Sequence, residues 1–197
     1  MRLHLPRARF LVLAAALSIA PNAPAQEQVF HLDPSRSQVE FTLGASLHTV
    51  HGTFRMHGGD LRLDPATGKA SGAIVVDATS GNTGNAGRDR KMHKEVLQSA
   101  QYPEIRFTLQ AAQGSLPANG SSEIQLSGVM TLHGGDHPMT VTAPVRISNG
   151  EASADVQFAI PYVEWGMKDP STFLLRVGKK VDIVVHAVGS LTPAPKS

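Results

Sequence analysis

Apolar and polar residues alternate with a period of two through most of the chain beyond residue 38, in runs broken by Gly, Pro, Asn and Asp. Val39, Phe41 and Leu43 alternate with Gln38, Glu40 and Thr42, while Val50, Phe54 and Met56 share one parity and Thr49, His51, Thr53 and Arg55 the other. Successive side chains on a strand point to opposite faces, so each run predicts a strand with one apolar face. Comparable runs occupy 61–63, 72–76, 105–109, 124–132 (Leu126 and Met130 on one face), 139–147, 156–160 and 173–188. In the last of these, Val181, Ile183 and Val185 oppose Asp182, Val184 and His186. Eight or nine such strands, with no helices alternating between them, argue against a parallel α/β architecture. Sheets with one apolar face must either pack on a second sheet or close on themselves.

The punctuation is as informative as the runs. His57-Gly58-Gly59-Asp60 and His133-Gly134-Gly135-Asp136 both fall between apolar stretches, and both are predicted to be hairpin turns, because paired glycines supply positive φ. One stretch breaks the β pattern. Residues 88–100 place Met92, Val96 and Leu97 on one helical face with charges around the rest, and Tyr102-Pro103 ends the run. A single surface helix on a crossover is predicted there, entered from a Gly- and Asn-rich segment at 80–87, with Asp89 as a candidate cap for free N–H groups. Residues 192–197 are expected to form a loose tail beyond a domain ending at Leu191.

The first 25 residues follow a different grammar. Arg2, Arg7 and Arg9 precede an apolar run over 10–20, and Ala23-Pro24-Ala25 offers small residues at a cleavage site, which together predict a secretory signal cut before Gln26. An apolar run of 11 residues is shorter than the roughly 20 a helix needs to cross a bilayer, so no transmembrane segment is expected. Removing residues 1–25 takes away three of the 18 basic residues and none of the 16 acidic ones, leaving 15 against 16 and a formal charge of −1. A nearly neutral domain lacks the clustered positive surface that holds phosphates, so nucleic acid is not an expected partner. The chain has no cysteine, which removes disulfides, a thiol nucleophile and thiolate metal sites. The expectation is an exported, periplasmic domain held by its apolar core alone.

Several motifs in order resemble landmarks of the YceI-like family. They are Leu32-Asp33-Pro34-Ser35-Arg36-Ser37-Gln38-Val39-Glu40-Phe41, Val50-His51-Gly52-Thr53-Phe54, Arg88-Asp89 with Met92-His93, and Tyr102-Pro103-Glu104-Ile105-Arg106-Phe107. Leu126 to Gly134, Gly166-Met167, Val177-Gly178 and Val181 continue the series, so the resemblance spans about 29–191. The chain departs from the pattern at Phe30, at Glu164-Trp165 and in the His-rich 47–51. The resemblance implies an all-β fold, an extended lipocalin-like closed antiparallel β-barrel of about eight strands with one crossover helix. It also implies a channel for a polyisoprenoid or similar long-chain amphiphile. About eight strands independently give a barrel just wide enough to hold one small ligand.

On that reading Phe41, Leu43, Val50, Phe54, Met56, Phe107, Leu109, Leu126, Met130, Phe158 and Val185 line the interior. The same side chains could instead fill a solid core. Arg88 or Arg90 would meet a polar head group at a mouth gated by the helix, with a local cap and ion pair as the alternative. Trp165, beside Gly166, is a further candidate contact at the rim, with simple packing as its alternative. The cargo would be an isoprenoid, a quinone or another fatty amphiphile, with no cofactor and no catalytic residue, and a homodimer is left open. Two rivals stand beside this one. A His-dependent metal-binding or hydrolytic barrel would use His48, His51 and His93, with His133 or His137, although His48 and His51 have opposite strand parity. Glu164 beside Trp165 could be a carboxylate in an apolar pocket. The other rival is a stress-response interaction module with a filled interior.

Overall fold

The computed structural model describes residues 26–195, so the predicted signal segment lies outside the described residues. Nine strands, β1 (Gln28–Leu32), β2 (Gln38–Gly44), β3 (Thr49–Leu63), β4 (Ala70–Asp77), β5 (Glu104–Gln113), β6 (Gly120–Leu132), β7 (Gly135–Ser148), β8 (Glu151–Ile160) and β9 (Val181–Pro193), pair antiparallel throughout. β1 and β2 occupy one position in the wall. Both lie between β3 and β9, β1 against Asp60 to Leu63 and Gly189 to Pro193, β2 against Thr49 to Arg55 and Asp182 to His186. Eight positions therefore close the barrel, as the resemblance implied. The break over 33–37 is repaired by a side chain: Ser37 Oγ donates to Val188 O at 3.1 Å and accepts from Val188 N–H at 3.0 Å.

The two His-Gly-Gly-Asp segments part company. His133 and Gly134 form the expected two-residue hairpin between β6 and β7, with φ of 53° and 74°. His57-Gly58-Gly59-Asp60 is not a turn: β3 runs straight through it, and its register with β4 shifts between Met56 and Gly58. A Cβ on Gly59, at φ +141°, would come within 2.1 Å of Ala73 O, so glycine lets the two backbones meet at this bulge.

The run predicted at 173–188 begins as a strand only at Val181, because Thr172 and Leu175 close a turn that throws Phe173 and Leu174 outward. β9 then continues through Pro193, past the expected boundary at Leu191, and Ala194 is buried with its N–H on Glu27 O. β1, which the period-two reading left out, supplies the pairing that holds this end.

The helix is shorter and wider than predicted. α1 (Ala86–Lys91) passes into a π turn over Met92–Val96 that stops near Gln98, at φ 47°. Asn85 rather than Asp89 caps it, accepting from Gly87 and Arg88 N–H groups at 3.0 Å each. Asp89 ties the approach loop instead, accepting from Thr83 N–H and Oγ1. Arg88 donates to Thr83 Oγ1 and Thr83 O rather than joining an ion pair. Among the described residues no helix is long and apolar enough to cross a membrane.

The wall has one long unpaired line. β7 and β8 pair only between Val145–Ser148 and Glu151–Ala154, and pairing ends where Pro144, which has no N–H, would come opposite Asp155. Above that point β7 keeps only β6 and β8 keeps only β9. The far end of the open line is bridged by His137 of β7, whose ring stacks on Trp165 in the segment after β8.

Candidate functional site

Inside the barrel the inward parities of the strands leave two chambers. The lower, of about 200 Å³, is walled by residues of all nine strands, and Ser153 is the single polar residue in its lining. The upper, of about 220 Å³, lies beneath the crossover helix and the loop that precedes β9. Phe54, Ile105, Ile160 and Ile183 line both, so they form a waist between them. Glycines make room for the aromatic side of that waist. A Cβ on Gly52 would meet the Phe41 ring at 2.3 Å and one on Gly81 the Phe54 ring at 2.6 Å, while the two rings themselves sit 5.3 Å apart.

Most of the predicted lining residues reach a chamber. Phe54, Met56, Phe107, Leu126, Met130, Phe158 and Val185 line the lower one, and Phe41, Leu43, Val50 and Arg88, with Phe54 again, line the upper. Two do not. Leu109, 2% exposed, packs solidly with Leu61 and Leu63 just before a register shift in β5. Trp165 lies against His137 at the top of the β7–β8 line, outside both linings. The sequence reading missed Tyr162, Met167 and Lys91, which wall the upper chamber from the helix and from the loop after β8. Period-two logic could not reach residues outside strands, although the apolar helical face of Met92, Val96 and Leu97 was visible and does line this chamber.

Ser153 apart, the polar groups are all in the upper chamber. His48, Thr83, Arg88, Lys91 and Tyr162 line it, and no carboxylate does. Lys91 Nζ donates to Pro170 O at 3.1 Å, and Arg90 is exposed and turned away. Burial, with a smaller push from Asp169, raises the Tyr162 hydroxyl to about 12, so it stays a neutral donor, held on Gly178 O at 2.7 Å. The chamber therefore offers positive charge and hydrogen-bond donors above an apolar shaft.

The histidines do not gather. His93 uses both ring nitrogens, Nε2 at 2.8 Å from Gly81 O and Nδ1 at 2.9 Å from Ser99 Oγ, which assigns the proton to Nε2. His51 Nδ1 lies 3.1 Å from Thr42 Oγ1, and only His48 of the three faces a chamber. Among the described residues no three His, Asp or Glu side chains converge on a point that could hold a metal ion. Glu164 is exposed to solvent rather than set in an apolar pocket.

Comparison with known proteins agrees with this geometry. A family model described as YceI-like domain matches residues 30–189. A UPF0312 protein of Vibrio cholerae is 27% identical over 136 residues, 66% of this chain and 69% of that protein. Burkholderia cenocepacia BcnA superposes with a TM-score of 0.67 at 22% identity, covering 81% of this chain and 99% of that one. A structure described as a polyisoprenoid binding domain from Saccharophagus degradans, implicated in plant cell wall breakdown, gives 0.64 at 19% identity, covering 84% and 98%. At these identities the solved structures speak for the fold.

Proposed function

The chain belongs to the YceI-like domain family, and from that premise we propose that it is an exported binding protein which holds a long-chain amphiphile, a polyisoprenoid, quinone or fatty chain, inside its barrel. One observation carries the reading: an almost wholly apolar lower chamber continues, past a waist at Phe54, into an upper chamber that has cations and donors but no carboxylate. The relative described as a polyisoprenoid binding domain supports the same ligand class.

The driving force is desolvation. Each methylene that leaves water for the lower chamber contributes about 0.8 kcal/mol, so a long tail gathers many small increments. The head group then stays above the waist, where Arg88 and Lys91 favour an anionic or hydrogen-bond-accepting head. No covalent step is needed, and the protein would act by keeping the tail out of water.

Filling the cavity tests this. Ala143, 2% exposed, lines the lower chamber, so Ala143→Phe places a ring in the space proposed for the tail. Into a vacant chamber the ring enters at little cost, whereas a packed core would lose roughly 1–3 kcal/mol. The expected result is an unchanged unfolding midpoint with loss of binding of a fluorescent polyene fatty acid. Undiminished probe binding in the variant would overturn the proposal.

A further inference from the structure

Two loops at the upper end of the barrel carry large apolar side chains outward. Phe173 and Leu174 sit at the tip of the turn closed by Thr172 N–H on Leu175 O at 2.8 Å and Leu175 N–H on Thr172 Oγ1 at 3.1 Å. They are 93% and 83% exposed, and Leu47, at the tip of the β2–β3 turn, is 77% exposed. Turn tips ordinarily carry Gly, Asn, Asp or Ser. The two tips are stitched into one rim: Ser46 N–H donates to Arg176 O at 2.9 Å, Arg176 N–H to Ser46 Oγ at 3.2 Å, and Ala45 bridges Val177. These three are the exposed large hydrophobic residues of the described chain, and all lie at one end.

The charge beside them is mainly positive, three cations against the carboxylates of Asp169 and Asp182. Arg176, Lys179 and Lys180 are exposed and, among the described residues, belong to no ion pair. Lys168 is paired with Glu95 at 2.7 Å, and Asp169, which accepts from Ser171 N–H at 2.8 Å and feels Lys179 and Arg176, stays ionised and offsets part of the collar. The backs of the same loops, through Ala45, His48, Leu175 and Val177, wall the upper chamber. Apolar tips and a mainly basic collar thus stand on loops whose inner side walls the upper chamber.

The geometry points to this rim as a docking surface for an anionic phospholipid bilayer. Leu47, Phe173 and Leu174 enter the boundary between head groups and acyl chains, and Arg176, Lys179 and Lys180 meet lipid phosphates. Docked this way, the loops that wall the upper chamber lie against the membrane, so a tail passes between bilayer and barrel without crossing water; this last step rests on the binding function proposed above. A neutral surface would attract only the tips, and an anionic one attracts both tips and collar.

Cosedimentation with vesicles of phosphatidylcholine, with and without phosphatidylglycerol, tests the docking. The protein is expected to bind the mixed vesicles and to be released by salt. Because Phe173 and Leu174 are exposed, F173S/L174S should fold like the parent and bind vesicles on the order of tenfold more weakly. K179E/K180E should lose on the order of tenfold or more on mixed vesicles and little on neutral ones. Failure of the parent to sediment with mixed vesicles, equal binding to neutral ones, or undiminished binding by F173S/L174S overturns the docking surface. So does a parent that forms a dimer lost in F173S/L174S while ignoring vesicles, which assigns the rim to a second copy. Lipid content of the purified parent is measured separately. A lipid-free protein that still docks refutes the cargo and upholds the rim, and a loaded protein that does not dock refutes the rim alone.

Discussion

The imidazole of His137 lies flat on the indole of Trp165, with ring centroids 3.9 Å apart and planes 1° from parallel. This contact spans the top of the line where β7 and β8 are unpaired, and His137 Nε2 is buried without a hydrogen-bond partner, so stacking rather than polar bonding holds the ring. Such a pair contributes about 0.5–1.5 kcal/mol beyond its buried area. His137→Ala is expected to lower stability by about 1–2 kcal/mol in urea, to shift the emission of Trp165, the protein's one tryptophan, and to hasten amide exchange over 139–143. His57→Ala, at an exposed site, should do none of these.

The waist sets which chains fit. Phe54 lines both chambers and is 7% exposed. Phe54→Ala should cost about 3 kcal/mol, near the low end for a buried Phe because the neighbouring space is already open. It should also join the chambers. In probe displacement, the variant should gain affinity for a long saturated fatty acid relative to a short one, and an unchanged ratio would remove Phe54 from that role.

Backbone approach at the β3 bulge gives a test of the fold. Gly59→Ala sets a Cβ against Ala73 O at a φ of +141°, whereas a Cβ on Gly44 meets nothing within 4 Å. The first substitution should destabilise by about 3 kcal/mol or more and the second by less than about 1 kcal/mol, read from chemical denaturation.

Stability should carry a modest pH dependence through β8 and β9. His186 lies directly opposite Asp155, with Nδ1 at 2.7 Å from its carboxylate, and that hydrogen bond, ahead of the opposing burial and the further charge of Glu40, raises the imidazole above its ordinary 6.5. A raised folded pKa stabilises fully below the unfolded value and loses that contribution as pH climbs through the folded one. The side chains are 41% and 70% exposed, so solvent screening holds the effect to at most about 1 kcal/mol. Urea midpoints should fall between pH 6 and pH 8, and Asp155→Asn should flatten that fall.

Much of the barrel could be read from period two because each strand spends one parity on the interior, as Val39, Phe41, Val50, Phe54 and Met56 do. Alternation does not say whether a Gly-Gly pair turns the chain or bends it. Residues 57–60 and 133–136 have the same sequence, and only the partner strand, β4 pressed against Gly59, decides between bulge and hairpin. Phe173 and Leu174 looked like the start of a strand because hydrophobicity marks burial only on average. Leu109 kept the right parity, yet a bulge beside it removed it from the lining. Tyr162 and Lys91 come to the upper chamber from a turn and a helix whose placement depends on contacts distant in sequence, with Gly178 and Pro170.

The central claim is that the chambers hold lipid, and extraction tests it most directly. Protein purified without detergent is extracted with organic solvent and analysed by mass spectrometry, with elemental analysis of the same sample. The account predicts about one long-chain amphiphile per chain, lost in Ala143→Phe. Protein that carries no such molecule and takes none up on incubation with polyisoprenoids, quinones or fatty acids, or that returns stoichiometric metal and no lipid, would contradict it.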